Sequence, residues 1–544
     1  MRIWMLFVIG IIHFEAVAQN TPPRPKLVVG LVVDQMRWDF LYRYADKYSA
    51  TGFNRLLREG YNCQNTHINY SPSYTACGHT CVYTGSVPSV HGIAGNNWYD
   101  YKDARYVYCT EDSSYKTVGS TSKAGQMSPK RMVASTITDE LRLATNFKSK
   151  CIGIALKDRS SILPAGHAGN AAYFYDPTVG KWITSSYYGI SDLPVWVNQF
   201  NDFKLPEKYM QQNWNTLKPI IEYYESDEDD VPYESALPGE ASPVFEHKTS
   251  QLSPQYKVLL ATPYGNSFTL KFAEGAILNE QLGQGNQTDF LAVSLSSTDY
   301  VGHSFGPNSV EVQDCYMRLD QDLSDFFAFL DKTVGAGNYL FFLTADHGVA
   351  HIPDYLKKKK MEGGVFNSAT LVKQLNDSLK ATYGVDTLIV AYENMHLYFN
   401  NKLITEKKLN EQSIKSLVKH WTLQYKGVAN VYDLSNLSNE NIEHSLKEKI
   451  SNSVFAGRAG NMYVMFNPNW FEDMPKGTTH GTIYPYDTHI PLIWMGWKVK
   501  PGTDYSAINM TDIAPTLAGM LHIQEPNGCV GKPITELMKN INNH

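Results

Sequence analysis

The 544-residue sequence lacks the marks of several large protein classes. Its 48 Lys and Arg stand against 54 Asp and Glu, a net charge of -6, so there is no basic surplus for a nucleic-acid backbone. Nucleic acid is not expected as a stable partner. Beyond the N-terminus no segment approaches the roughly 20 consecutive apolar residues that span a bilayer. The core holds no Rossmann glycine fingerprint and no P-loop, which argues against a bound nucleotide cofactor. No internal repeat occurs. Cysteine is sparse: Cys63, Cys77, Cys81, Cys109, Cys151, Cys315 and Cys529 form no C-x-x-C pair and no Cys/His knuckle. They read as structural residues, and their odd number leaves at least one outside any disulfide within the chain.

What is present begins at the N-terminus. Met1-Arg2 precedes an apolar run from Trp4 to Ile12, and Ala16-Val17-Ala18 forms a small-residue cleavage site. Residues 1–18 therefore read as a signal peptide. A periplasmic or secreted protein with no membrane anchor after cleavage is expected.

Four runs, Lys26 to Gln35, Cys151 to Arg159, Phe290 to Asp299 and Tyr339 to Gly348, are apolar on both alternating faces and end in polar residues. Strands buried on both sides of a parallel sheet have this pattern. A fifth run spans His489 to Trp497. Between them, Ser309 to Leu330 carries an apolar face at helical spacing. The expected class is α/β, a central, mostly parallel sheet sandwiched by helices with capping insertions. Residues 19–189, 264–350 and 476–544 read as core, and 190–263 and 351–475 as insertions. The acidic run Glu225 to Asp230, set among Pro, Gly and Ser, reads as a solvated loop.

The titratable residues gather where such a sheet binds ligands, beyond the carboxyl ends of its strands. Asp34 ends the first strand. Asp299 and His303, in DYVGHSFG, are brought together by a glycine-containing turn. Asp346-His347, in TADHG, ends another strand. The segment THGTIYPYDTHIP offers His480 in a loop and His489 at a strand start, where a core histidine is the ordinary outcome. Carboxylates and imidazoles are good zinc ligands. They divide into two sets: Asp299, His303 and His480; and Asp34, Asp346 and His347. Two metals about 4 Å apart suit an in-line displacement at phosphorus. In NYSPSYTACGHTCVYTG, Pro72 and Ser73 read as a turn entering a helix with Thr75 in its first turn, where exposed N–H groups favour anions. Lys157 and Arg159, two residues apart on an extended segment, would point to one side.

The ordered series VVDQ, PSYTACGHT, GNNW, LKDRS, TDYVGH, TADHG and TTHG resembles the alkaline phosphatase superfamily. Within it the chain is most similar to the PafA-type, phosphate-irrepressible bacterial alkaline phosphatases, close to the nucleotide pyrophosphatase/phosphodiesterase branch. The resemblance implies a phosphate monoester hydrolase with two zinc ions per chain and a phosphothreonine intermediate. It implies Thr75 as nucleophile and second-metal ligand, His480 as the third histidine ligand, and Asn96, Lys157 and Arg159 as contacts to the phosphoryl oxygens. Small-molecule phosphate monoesters are the expected partners, and a monomer the expected state. Zinc is favoured over manganese by the histidine share. A phosphodiesterase is the nearest alternative, and a non-catalytic phosphate- or glycan-binding surface protein a remoter one. A sulfatase is excluded, because neither Cys77-Gly78-His79 nor Cys81-Val82-Tyr83 fits C-x-P-x-R.

Overall fold

A computed structural model describes residues 22–542; the signal-peptide reading concerns residues outside these. Ten strands build the main sheet: β1 (Leu27–Val33), β2 (Tyr61–Cys63), β3 (Thr117–Val118), β4 (Cys151–Ala155), β5 (Ala171–Asp176), β6 (Lys181–Ser185), β7 (Asp289–Leu295), β8 (Tyr339–Thr344), β9 (Leu492–Gly496) and β10 (Gly502–Asp504). Their order across the sheet is β10-β2-β9-β8-β1-β7-β4-β5-β6-β3. The central strands β8, β1, β7, β4 and β5 run parallel, and β9 and β6 run antiparallel to their inner neighbours. Every residue of β1, β7 and β8 is buried, which is why these segments are apolar throughout.

Register sets where the chemistry falls. Val33 pairs with Leu295, Val32 with Thr344, and Ser294 with Ala155, so the four central strands end at nearly one level. The residues that follow them share one edge of the sheet. Helix α1 (Thr75–Thr84) is buried along its whole length beneath that edge. Helix α2 (Asp158–Ala165) follows β4, and α3 (Ser297–Phe305) follows β7. Helix α4 (Val310–Leu330) is capped by the Ser309 hydroxyl, which accepts from the Val312 N–H, and buries Val312, Tyr316, Leu319, Leu323, Phe326, Phe327 and Leu330.

Three expectations change. The 489–497 run divides at Pro491. His489–Ile490 pairs with Thr66–His67 in a separate small sheet, and only Leu492–Gly496 joins the main one, antiparallel to β8. Proline has no N–H to continue a ladder. Lys157 and Arg159 are not on an extended segment: Lys157 is the residue before α2, and Arg159 lies in its first turn. Asp299 and His303 are joined by helix α3, one turn apart, rather than by a loop.

The stretch from 366 to 470 has its own core, including Leu371, Leu375, Leu397, Val431 and Val464. A four-stranded antiparallel sheet (Ile389–Glu393, His396–Phe399, Met462–Phe466 and Val428–Asp433) organises it. Its first hairpin turns through Asn394 and Met395, both at positive φ. Asn-Met lacks the glycine that usually marks such a turn, so nothing in the sequence pattern announced it.

Candidate active site

The metal-ligand candidates converge at the carboxyl edge of the sheet. Asp34 follows β1, Asp299 and His303 lie on α3, Asp346 and His347 follow β8, and His480 arrives from the C-terminal segment. Asp299 Oδ1 lies 3.2 Å from His303 Nε2 and 3.6 Å from His480 Nε2. These three could hold one ion. Asp34, Asp299 and His347 could hold a second, with His347 Nε2 3.6 Å from Asp34 Oδ1 and 3.4 Å from Asp346 Oδ2. Asp299 therefore stands between the two groups, and Asp346 sits against His347.

The donor chemistry fits divalent cations. His303, His347 and His480 each direct Nδ1 at a backbone carbonyl, of Thr478 (2.7 Å), Gly348 (2.9 Å) and Ser73 (2.8 Å). That fixes Nδ1 as the donor and leaves the Nε2 lone pair for a metal. Burial pushes His347 below its ordinary range, and burial with the neighbouring His347 and His303 pushes His480 well below it. Both shifts favour the neutral ring that a metal ligand needs, whereas the Asp299 carboxylate, against the effect of burial, raises His303. Asp34 Oδ1, Asp346 Oδ2 and His347 Nε2 are buried without a hydrogen-bond partner. Burial, and then the nearby Asp346, drive the Asp34 carboxyl well above its usual range. Buried carboxylates crowded in this way need compensating positive charge.

Thr75 is the first residue of α1 and is buried, and the preceding residue, Tyr74, does not cap the helix with its side chain. Asn96 Oδ1 accepts from the Ala76 N–H at 3.0 Å, which uses its oxygen and turns its amide nitrogen away from the helix. Lys157 Nζ pairs with Asp34 Oδ2 (2.7 Å) and Asp299 Oδ2 (2.6 Å), placing its ammonium between the carboxylates. Arg159 Nη1 donates to the Tyr108 hydroxyl at 3.1 Å, while its buried Nε has no partner.

Several residues that the sequence reading passed over support this arrangement. The Gln35 side chain donates to Asp299 Oδ1 at 2.7 Å, and its backbone N–H to Asp346 Oδ1 at 3.1 Å. His79 Nδ1 lies 2.9 Å from the Thr75 carbonyl and 3.3 Å from Asp346 Oδ2. Its four-residue spacing from Thr75 was a signal available on a helix. Tyr300 lies 5.1 Å from the Lys157 ammonium.

Fold and site together define a metal-dependent phosphohydrolase, with ligands at the carboxyl ends of a parallel sheet. The profile of the family described as type I phosphodiesterase / nucleotide pyrophosphatase matches residues 28–489, and the chain belongs to that family. Alkaline phosphatase PhoV of Synechococcus elongatus is 48% identical over 534 residues, 96% of this chain and 95% of that protein. Alkaline phosphatase PafA of Elizabethkingia meningoseptica is 46% identical over 542 residues, 98% of each. The crystal structure of wild-type alkaline phosphatase PafA matches at a TM-score of 0.93 with 47% identity, covering 95% of this chain and 100% of that one. A second PafA structure, with a TM-score of 0.93, 46% identity and the same coverage, carries substitutions at a threonine, an asparagine, a lysine and an arginine. This chain is a phosphatase of the alkaline phosphatase kind.

Proposed function

We propose that the protein is a phosphate monoesterase with two zinc ions, working through a phosphothreonine at Thr75. Asp299, His303 and His480 would hold one ion, and Asp34, Asp346, His347 and Thr75 the other, with Asp299 near both. Bound zinc supplies Lewis acidity, which eases ionisation of a hydroxyl and neutralises charge on phosphoryl and leaving oxygens. Thr75 Oγ attacks phosphorus, the ester P–O bond breaks, and the leaving alcohol takes a proton. Water then cleaves the phosphothreonine, giving phosphate and restoring Thr75.

The observation that carries the monoester reading is the trio of Asn96 against the first turn of the Thr75 helix, the Lys157 ammonium between Asp34 and Asp299, and Arg159 two residues on. Asn96 keeps its amide nitrogen free to donate, and Arg159 keeps a buried Nε without a partner. The three carboxylates and an ionised Thr75 balance two divalent cations. Lys157 and Arg159 are then the surplus, which a monoester dianion neutralises and a diester monoanion does not. Arg159 grips two oxygens with its planar fork, whereas Lys157 acts as a point charge. Small-molecule phosphate monoesters are the substrates of this reading, with export past the inner membrane and a monomeric state as its accompaniments. Among the described residues no helix is long and apolar enough to cross a membrane.

A diesterase reading draws on the family's description. Lys157→Ala and Arg159→Ala, assayed by kcat/KM on matched aryl monoester and diester, separate the two. Each variant should slow monoester hydrolysis by roughly a hundredfold or more and diester hydrolysis much less. Equal losses at unchanged metal content would remove the monoesterase reading.

A further inference from the structure

Arg159 is aimed by a residue outside the trio. Tyr108 accepts from Arg159 Nη1 at 3.1 Å and donates its own proton to Asp158 Oδ1 at 2.8 Å. The other Asp158 oxygen, Oδ2, accepts from the Thr110 hydroxyl at 2.5 Å. A phenol that must donate to a carboxylate can only accept from the guanidinium, so the chain Arg159–Tyr108–Asp158–Thr110 has one direction. Its two ends lie on different elements, α2 and the strand Arg105–Tyr108 with the residues after it.

That strand forms a hairpin with Asn97–Asp100, pairing Tyr108 with Asn97. The Cys109 N–H donates to the Asn96 carbonyl at 3.0 Å. Asn96 and Tyr108 therefore stand side by side at the open end of one ladder, and the hairpin sets two of the three phosphoryl contacts at once. The 366–470 stretch grips the hairpin along its length, from Asn97 at the open end to Tyr101 in the turn. Tyr99 and Tyr101 pack on Tyr398 at 5.8 and 5.7 Å, Tyr101 donates to Asn461 Oδ1 at 2.6 Å, and Asn394 Nδ2 donates to the Asn97 carbonyl at 2.7 Å.

We propose that Tyr108 is a positioning residue for monoester hydrolysis, holding the Arg159 fork in register with Asn96 through this hairpin. The inference rests on the role given to Arg159 above. A misplaced contact costs rate steeply when the group acts on the reacting phosphoryl. Tyr108→Phe removes one oxygen and leaves the ring in place. It should lower kcat/KM for an aryl monoester about tenfold, change the matched diester by less than about twofold, and weaken inhibition by inorganic phosphate. In an Arg159→Ala background the same substitution should cost nothing further on the monoester. Thr110→Val, which frees Asp158 from the other side, should give a smaller loss of the same selectivity and serves if Tyr108→Phe proves unstable in a thermal melt. Equal losses on both substrates, no loss, or an undiminished loss without Arg159 would overturn the proposal. If Arg159→Ala itself fails to distinguish the two esters, the monoesterase reading falls first. If it distinguishes them and Tyr108→Phe does not, only the positioning role falls.

Discussion

Two histidines nine residues apart, His480 and His489, show how a single side chain's surroundings decide its use. His489 is stacked between Trp38 at 4.6 Å and His67 at 4.5 Å, and its Nε2 lies 3.0 Å from the Gln64 carbonyl. Its ring is packed, and the nitrogen that could bind a metal already has a partner. His480 spends Nδ1 on the Ser73 carbonyl and turns Nε2 toward Asp299. His480→Ala should therefore lower the metal content of the purified protein by one ion per chain, and His489→Ala should leave it unchanged; elemental analysis of both variants decides. Thr75 gives a second test at this scale. A primary hydroxyl can take the same place at the start of α1, so Thr75→Ser should keep substantial turnover, whereas Thr75→Ala should abolish the phosphoenzyme. Acid-quenched labelling with peptide mapping reads this directly, and label on Thr80 would refute the assignment. Both residues stood out in the sequence. The hydrogen bonds that tell His480 from His489 were not, because their partners lie about 400 positions away in the chain.

At the scale of elements, the site depends on how closely α1 approaches the turn after β8. A Cβ at Gly78 would meet the Asp346 carbonyl oxygen at 2.4 Å and the Asp346 Cβ at 2.6 Å. Those are backbone and stem atoms, which cannot swing aside as the end of a long side chain can. Gly78→Ala should push Asp346 away from His347, with loss of metal and of at least most activity, although alanine is the better helix former. Unchanged metal content in a folded Gly78→Ala protein would contradict this. Asp299 and His303 were expected to meet through a glycine-containing turn, but they meet on one face of α3, where four residues bring two side chains together. The K-x-R pair was misread because strand and helix meet between its members, and no local pattern marks that junction.

Across the whole molecule, the stretch before α4 in sequence that carries Glu240 and His247 is tied to that helix by a buried charge cluster. His247 lies 3.0 Å from Glu240 Oε2 and 3.4 Å from Glu311 Oε1. Burial alone would lower the His247 pKa, but its hydrogen bond to Glu240 and the close Glu311 carboxylate outweigh burial and raise it from 6.5 to about 9. A raised histidine contributes stability that is fully present below its unfolded value near 6.5 and is lost as pH rises through about 9. The shift corresponds to about 3 kcal/mol. Glu311, raised by burial to about 7, Glu234, raised by burial and by the Glu311 charge to about 11, and Asp229, also raised by burial, face the same cluster. His247→Gln should therefore lower Tm at pH 7 and much less at pH 10. An equal Tm difference at both values would show that the pairing carries no such linkage.

By itself, the sequence determined the buried strands, the long amphipathic α4, and the residue types of the site, because these follow from local apolar pattern and from motifs a few residues long. It also carried enough motif order to point to the right superfamily. The tertiary structure decided which strands turn antiparallel, that the 366–470 stretch holds a sheet of its own, and that Asp299 belongs to both candidate ligand groups. It also brought Tyr108, His79 and Gln35 to the chemistry. These depend on strand register and on contacts across hundreds of residues, which cooperative packing selects and no local window of sequence contains.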